Sequence, residues 1–153
     1  MQPPARLPAM ADQTESSITI AAPAADVMAV IADFEAYPSW NDEVKLVEIL
    51  SVYQDTEQPA EVRYVLDAGI IKDEYVLEYD WVSEHELRWR LVRGEILTMM
   101  DGAYVLSAAD GGTDVSYRLA VDLRIPMIGL IKRKAERVII DRALKGLQAR
   151  VGG

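Results

Sequence analysis

The chain has 153 residues and a mass of 17.0 kDa, enough for one domain with its own core and too little for two. Half the residues are hydrophobic and 27% are charged, a globular balance. The absence of cysteine excludes disulfides, thiolate metal sites and cysteine nucleophiles, and the single histidine, His85, excludes a multi-histidine metal site within one chain. A net charge of -9 argues against nucleic acid as a partner, because phosphate binding needs clustered Lys and Arg. No apolar run approaches the ~20 residues of a membrane span.

Residues 1–15 begin MQPPARLPAM and read as an extended, poorly ordered lead without the apolar stretch of a secretory signal. Met10 offers a second translation start, and with neither cysteine nor signal the expected location is cytoplasmic. A single domain is expected over 16–151. Ser16 to Ala22 is β-branched and predicts a strand. Pro23 opens a helix at its first turn, carried by Ala24, Val27, Val30, Ile31 and Phe34. Tyr37-Pro38 is expected to stop it, and Ser39 to cap a second short helix through Trp40, Asn41 and Asp42.

From Val44 the hydrophobic period changes from 3.6 to 2. Six strands are predicted: Val44–Tyr53, Ala60–Asp67, Ile71–Val82, Leu87–Arg93, Leu97–Ser107 and Thr113–Arg124. Their connections are short and rich in turn residues, so the sheet is an antiparallel meander. Pro126 begins a last helix to about Val151, with Ile128, Ile131, Ala135, Val138, Ile139, Leu144 and Leu147 on its apolar side. The chain is thus α+β, with the long helix covering the apolar face of the sheet.

One hairpin is registered by its side chains. Pairing Tyr79 with Trp89 sets Trp81 opposite Leu87 and Leu77 opposite Leu91 on one face. The other face then holds Asp80 opposite Arg88 and Glu78 opposite Arg90. A slip of one residue would spoil both faces, so Glu78 and Asp80 are expected in solvent-facing ion pairs. On the inner parity stand Tyr64, Tyr75, Leu77, Tyr79, Trp81, Trp89, Leu91 and Tyr117. The chain has seven Tyr and three Trp but one Phe. Buried Tyr and Trp carry polar tips that need partners. This pattern fits a cavity with polar points in an apolar wall, and equally a packed core whose tips reach water at the sheet rim. Arg93 shares this parity, opposite Tyr75. It is a candidate for holding a ligand anion, or for pairing with a carboxylate such as Asp101. His85 lies in the Ser83–Glu86 turn, away from that face, and the glycines form no phosphate loop.

The segment ADFEAYPSWNDEVKLV, Ala32 to Val47, resembles the polyketide cyclase/dehydrase branch of the START and birch-pollen-allergen-like (SRPBCC) superfamily. Asp33, Phe34, Tyr37, Pro38, Trp40, Asn41 and Val44 carry the resemblance. It implies a helix-grip fold, in which a curved antiparallel sheet wraps the long terminal helix and leaves a cavity between them. The implied ligand is a small hydrophobic molecule such as a lipid, an isoprenoid quinone or a polyketide. The expected lining is Trp40, the inner-parity residues above with Arg93, and Ile131, Ala135, Val138 and Ile139 from the helix. No catalytic residue, metal or cofactor is carried over. Two further functions stay open: a polyketide aromatase/cyclase or dehydratase using the same cavity, and an interaction module like ribosome-associated or quinone-chaperone relatives. The last helix holds seven basic and two acidic residues, a net of +5 against -14 for the rest. Its Lys132-Arg133-Lys134 run beside Ile128, Leu130 and Ile131 is a candidate contact with an anionic membrane.

Overall fold

The computed structural model describes residues 13–69, 71–124 and 129–152. Strand β1 (Thr14–Ile20) leads to α1 (Ala24–Ala32) and a 3-10 helix (Phe34–Ser39). Then follow β2 (Val44–Val52), β3 (Pro59–Asp67), β4 (Lys72–Ser83), β5 (Glu86–Gly94), β6 (Leu97–Ala109) and β7 (Gly112–Leu123). The chain closes with α2 (Gly129–Val151). The expected start of this last helix at Pro126, and Ile128 on it, lie outside the described residues. One seven-stranded sheet has the order β1-β7-β6-β5-β4-β3-β2, with every pairing antiparallel. This is the meander the short connections predict, with β1 added beside β7.

Pro23 sits at the N-cap of α1, and its carbonyl accepts the N–H groups of Asp26 and Val27. Val27 and Ile31 are the buried face. The next segment corrects the expected break. Pro38 lies inside the 3-10 helix rather than ending it, and the Tyr37 carbonyl takes the N–H groups of Trp40 and Asn41. Ser39 caps no helix over 40–42; its hydroxyl donates back to the Ala36 carbonyl at 2.6 Å. Asn41 Oδ1 instead accepts the Glu43 N–H at 3.1 Å, a local turn that feeds the chain into β2.

The β4–β5 hairpin has the register that its side chains dictate, from Trp81 opposite Leu87 to Leu77 opposite Leu91. Arg90 pairs with Glu78 at 2.8 Å. Arg88 stands opposite Asp80 but turns its guanidinium to Glu86 at 2.5 Å. Beyond Leu91 the register shifts, so that Arg93 faces Val76 and Gly94 faces Tyr75. Val92 is the extra residue of a β-bulge, and it reverses the parity of everything after it. Arg93 is therefore exposed on the outer face and not opposite Tyr75. The Asp73 carboxylate holds the following turn, accepting the N–H groups of Glu95, Ile96 and Leu97.

Helix α2 lies on the concave face and buries Ala135, Ile139, Ile140, Ala143, Leu144 and Leu147. Each large side chain among them contributes about 1.5–3 kcal/mol through burial. The expected apolar side shifts accordingly. Ile131 is 45% exposed and Val138 half-buried, while Ile140 and Ala143 are enclosed. The first turn, where Leu130 is 73% exposed, stays outside the buried arc. Glu136 is fully buried, where it accepts the Thr14 hydroxyl at 2.6 Å and the Val121 N–H at 2.8 Å. It thereby ties α2 to both β1 and β7. Farther along, Gly146 admits the neighbouring loop: a Cβ there would stand 2.4 Å from the Trp40 carbonyl oxygen.

Two positions on α2 are open to test. Burial raises the Glu136 carboxyl above its ordinary value of 4.5, against the opposing pull of its two hydrogen bonds and of Lys132 and Arg133. The fold then favours the protonated form, so this stabilisation is present below pH 4.5 and is lost as pH rises through the raised value. Urea unfolding of Glu136→Gln across that window should show less loss of stability with pH than the wild type. Equal slopes would refute the linkage. Gly146→Ala should destabilise by about 1–3 kcal/mol, because the crowding is against backbone. Helix propensity alone predicts about 1 kcal/mol of stabilisation, so thermal unfolding decides the sign.

Candidate ligand cavity

The pleat of the sheet aims alternate residues at α2. Tyr64 of β3, Tyr75, Leu77 and Tyr79 of β4, Trp89 of β5, Met100 and Tyr104 of β6 and Tyr117 of β7 line a shared cavity. Ile139 and Ala143 of α2 form its roof, and Tyr37, Asn41, Glu43 and Val44 close one end. Phe34 plugs the space beside it, stacked on Tyr79 with ring centroids 4.5 Å apart. Gly102 lies on the inward side of β6, where a Cβ would meet the Trp89 indole at 2.2 Å, so the missing side chain lets Trp89 lie across the strand. The enclosed volume is about 50 Å³. That holds about three or four waters and falls well short of the ~300–1,000 Å³ of ligand pockets. Helix α2 leaves little space between itself and the sheet at these residues.

Six tyrosines are buried here: Tyr37, Tyr64, Tyr75, Tyr79, Tyr104 and Tyr117. Some of their hydroxyls are satisfied by the protein. Tyr37 donates to the Ile31 carbonyl, and Tyr64 and Tyr79 bond each other. At the rim, Tyr53 donates to the Tyr79 carbonyl and Trp81 Nε1 to the Pro59 carbonyl at 2.9 Å. The hydroxyls of Tyr75, Tyr104 and Tyr117 have no hydrogen-bond partner among the described residues, although their rings are buried. Tyr104 and Tyr117 pack edge to face with centroids 4.7 Å apart. Burial pushes the pKa of all three phenols up, with neighbouring Tyr117 adding to the effect on Tyr75 and Tyr104. At neutral pH they are therefore phenols, hydrogen-bond donors rather than bases. One set of tips on the tyrosine-rich face is thus packed and satisfied, and another lines a small cavity.

Of the expected lining, Tyr64, Tyr75, Leu77, Tyr79, Trp89, Tyr117 and Ile139 meet in the cavity. Trp81 stays at the rim against Phe34, and Leu91 is half-buried outside the cavity. Ala135 is buried against the sheet, and Val138 and Ile131 turn toward solvent. Trp40 packs on Gly146; its Nε1, unlike the cavity hydroxyls, is fully enclosed by protein and has no partner among the described residues. Arg93 lies at an outward pocket of about 280 Å³ with Arg63, Glu74, Val76 and Glu95. Asp101 is half-buried and Asp122 pairs with Lys132 at 2.8 Å, neither in the cavity. His85 sits exposed in its turn. Tyr104 was within reach of sequence reasoning, since the alternation Met100, Gly102, Tyr104, Leu106 marks it inward, but the glycine interrupts the apolar pattern. Tyr37, Asn41 and Glu43 lie where no period operates.

Glu43 is 7% exposed and is, among the described residues, the only charged side chain in the cavity lining. Arg142 of α2 donates to its carboxylate at 2.6 Å, and Arg142 is itself largely exposed. The pair fastens the start of β2 to α2 beside Ala143. Among the described residues, no group of three or more His, Asp or Glu is placed to hold a metal. What the walls can do is donate hydrogen bonds to an acceptor within an apolar enclosure.

The architecture has known counterparts. A START superfamily protein from Mycobacterium smegmatis is 24% identical, with a TM-score of 0.85 over 91% of this chain and 96% of that one. A protein from Thermus thermophilus is 25% identical, with a TM-score of 0.77 over the same shares. The Zhui aromatase/cyclase from a Streptomyces species is 18% identical, with a TM-score of 0.73 over 91% of this chain and 92% of that one. No curated protein matches the chain. The sequence model of the family described as polyketide cyclase/dehydrase and lipid transport matches residues 11–152. The chain therefore belongs to that family and has the helix-grip fold.

Proposed function

We propose that this protein binds a small hydrophobic ligand, in the cytoplasm, between the sheet and α2. The observation that carries the reading is the set of three phenol hydroxyls, on Tyr75, Tyr104 and Tyr117, left without partners among the described residues on the wall of a buried cavity. Their oxygens open on the cavity space rather than on protein atoms, where water satisfies them in the empty cavity and ligand oxygens in the occupied one. The closed volume requires α2 to move outward before any organic molecule enters. Affinity is then reduced by the fraction of time the helix spends closed. Apolar burial at about 25 cal/mol per Å² drives binding, and the phenols orient the ligand.

The same phenols weigh against the cyclase or dehydratase reading. They can polarise a carbonyl, but a phenol kept protonated by burial is a poor proton acceptor. Glu43, the one carboxylate there, is held by Arg142. An interaction module would leave the unpartnered hydroxyls without a use. The test is native mass spectrometry of the purified protein with a panel of neutral hydrophobic ligands. Binding should be abolished by Leu77→Trp and weakened about tenfold or more by the Tyr75/Tyr104/Tyr117→Phe triple variant, at roughly one hydrogen bond's worth each. Uptake indifferent to both would turn the reading toward surface interactions.

Membrane delivery is a second element of this reading. It is favoured by the exposure of Leu130 and Ile131 at the start of α2, beside exposed Arg133, Lys134 and Arg137. No helix among the described residues is long and apolar enough to cross a membrane, so contact through α2 would be peripheral. Reversing Lys132, Arg133 and Lys134 to Glu should abolish co-flotation with vesicles containing anionic lipid. Unchanged flotation would remove the membrane from the proposal.

A further inference from the structure

The charge of the cavity wall bears on which ligands are admitted, an inference that rests on the ligand-binding reading above. Among the described residues, no cationic side chain lines the cavity. Arg93 is diverted to the outer face by the bulge at Val92. Arg142 touches Glu43 but does not line the space. Glu43 does line it, and its carboxylate is enclosed where the 3-10 helix, β2 and α2 meet. The Arg142 guanidinium that compensates this carboxylate is 59% exposed and screened by water, so a second anion brought in on the buried side of the pair still meets net repulsion. The phenols opposite can donate to any oxygen, charged or neutral. They do not supply the cation that a desolvated carboxylate or phosphate requires. We infer that Glu43 is a specificity determinant that excludes anionic ligands, so that the cavity takes an uncharged hydrophobic molecule bearing carbonyl oxygens and rejects its carboxylate counterpart.

Fatty acids and other amphiphiles with an ionised end are then poor ligands despite the apolar walls. Their neutral counterparts are good ones. The arrangement also gives the Glu43–Arg142 pair a double part. It fastens α2 to the start of β2, and it keeps the carboxylate in place when the helix is closed.

The experiment compares two probes of one ring system, 2-acetylnaphthalene and 2-naphthoate, by quenching of the intrinsic tryptophan fluorescence at neutral pH. The proteins are the wild type, Glu43→Gln and Glu43→Gln/Arg142→Gln, with Asp80→Asn, exposed on β4, as a control for the net charge. The wild type should bind the ketone and reject the naphthoate. Glu43→Gln should raise the ratio of naphthoate to ketone affinity by about tenfold or more, as removal of one nearby buried charge implies. The gain should persist in the double variant and be absent in Asp80→Asn. Equal binding of both probes by the wild type, unchanged in Glu43→Gln, would overturn the exclusion while leaving the ligand cavity standing. A gain that disappears in the double variant would also overturn it, by assigning naphthoate capture to the freed Arg142. Failure of both probes on every protein would overturn the exclusion together with the binding reading beneath it.

Discussion

Six phenols buried under one helix form the constraint on which this structure turns. A phenylalanine-lined sheet would let α2 pack flat against it. A tyrosine cannot be buried that way, because each hydroxyl taken from water must find a partner or retain a pocket of space. The protein uses both solutions. Tyr37, Tyr64 and Tyr79 bond within the fold. Tyr75, Tyr104 and Tyr117 keep a cavity open between sheet and helix. The cavity is thus a consequence of polar satisfaction and is built into the core.

That origin explains why the cavity is small and why its walls are stiff. The aromatic rings interlock, from Phe34 on Tyr79 through Trp89 to Tyr104 and Tyr117. Such a surface resists local rearrangement. Helix α2 is held by its buried apolar arc and by discrete polar ties: Glu136 to β1 and β7, and Arg142 to Glu43. The buried tie at Glu136 anchors the helix where it crosses β1. The tie at Arg142 is exposed on one side and weaker. The geometry places the softer fastening next to the cavity, which is the end that must open if a ligand is to enter.

Sequence reasoning succeeded wherever a period or a pairing rule ran uninterrupted. Every strand of the meander was legible, because alternation needs only local residues and each turn carries its own signals. The β4–β5 register was legible for a stronger reason: a slip of one residue would have exposed Trp and Leu while burying Glu and Arg. Reading failed where that period broke. One extra residue, Val92, carried Arg93 from the inner face to the outer, and a bulge leaves no mark on composition. Gly102 hid the inward position that pointed to Tyr104. Pro38, a helix breaker by rule, was accommodated in a 3-10 turn.

Taken alone, the sequence determined the fold class, the order of the elements, the inward tyrosines of β3, β4 and β7, and the family signature around Ala32 to Val47. These follow from local chemistry and from patterns of period 2 and 3.6. Only the tertiary structure decided which hydroxyls are satisfied, how small the cavity is, which arc of α2 is buried, and that Glu43 rather than Arg93 faces the enclosed space. Those outcomes depend on contacts between residues such as Glu43 and Arg142, far apart in the chain and brought together by the closing of the helix on the curved sheet. No local pattern encodes a distance of that kind.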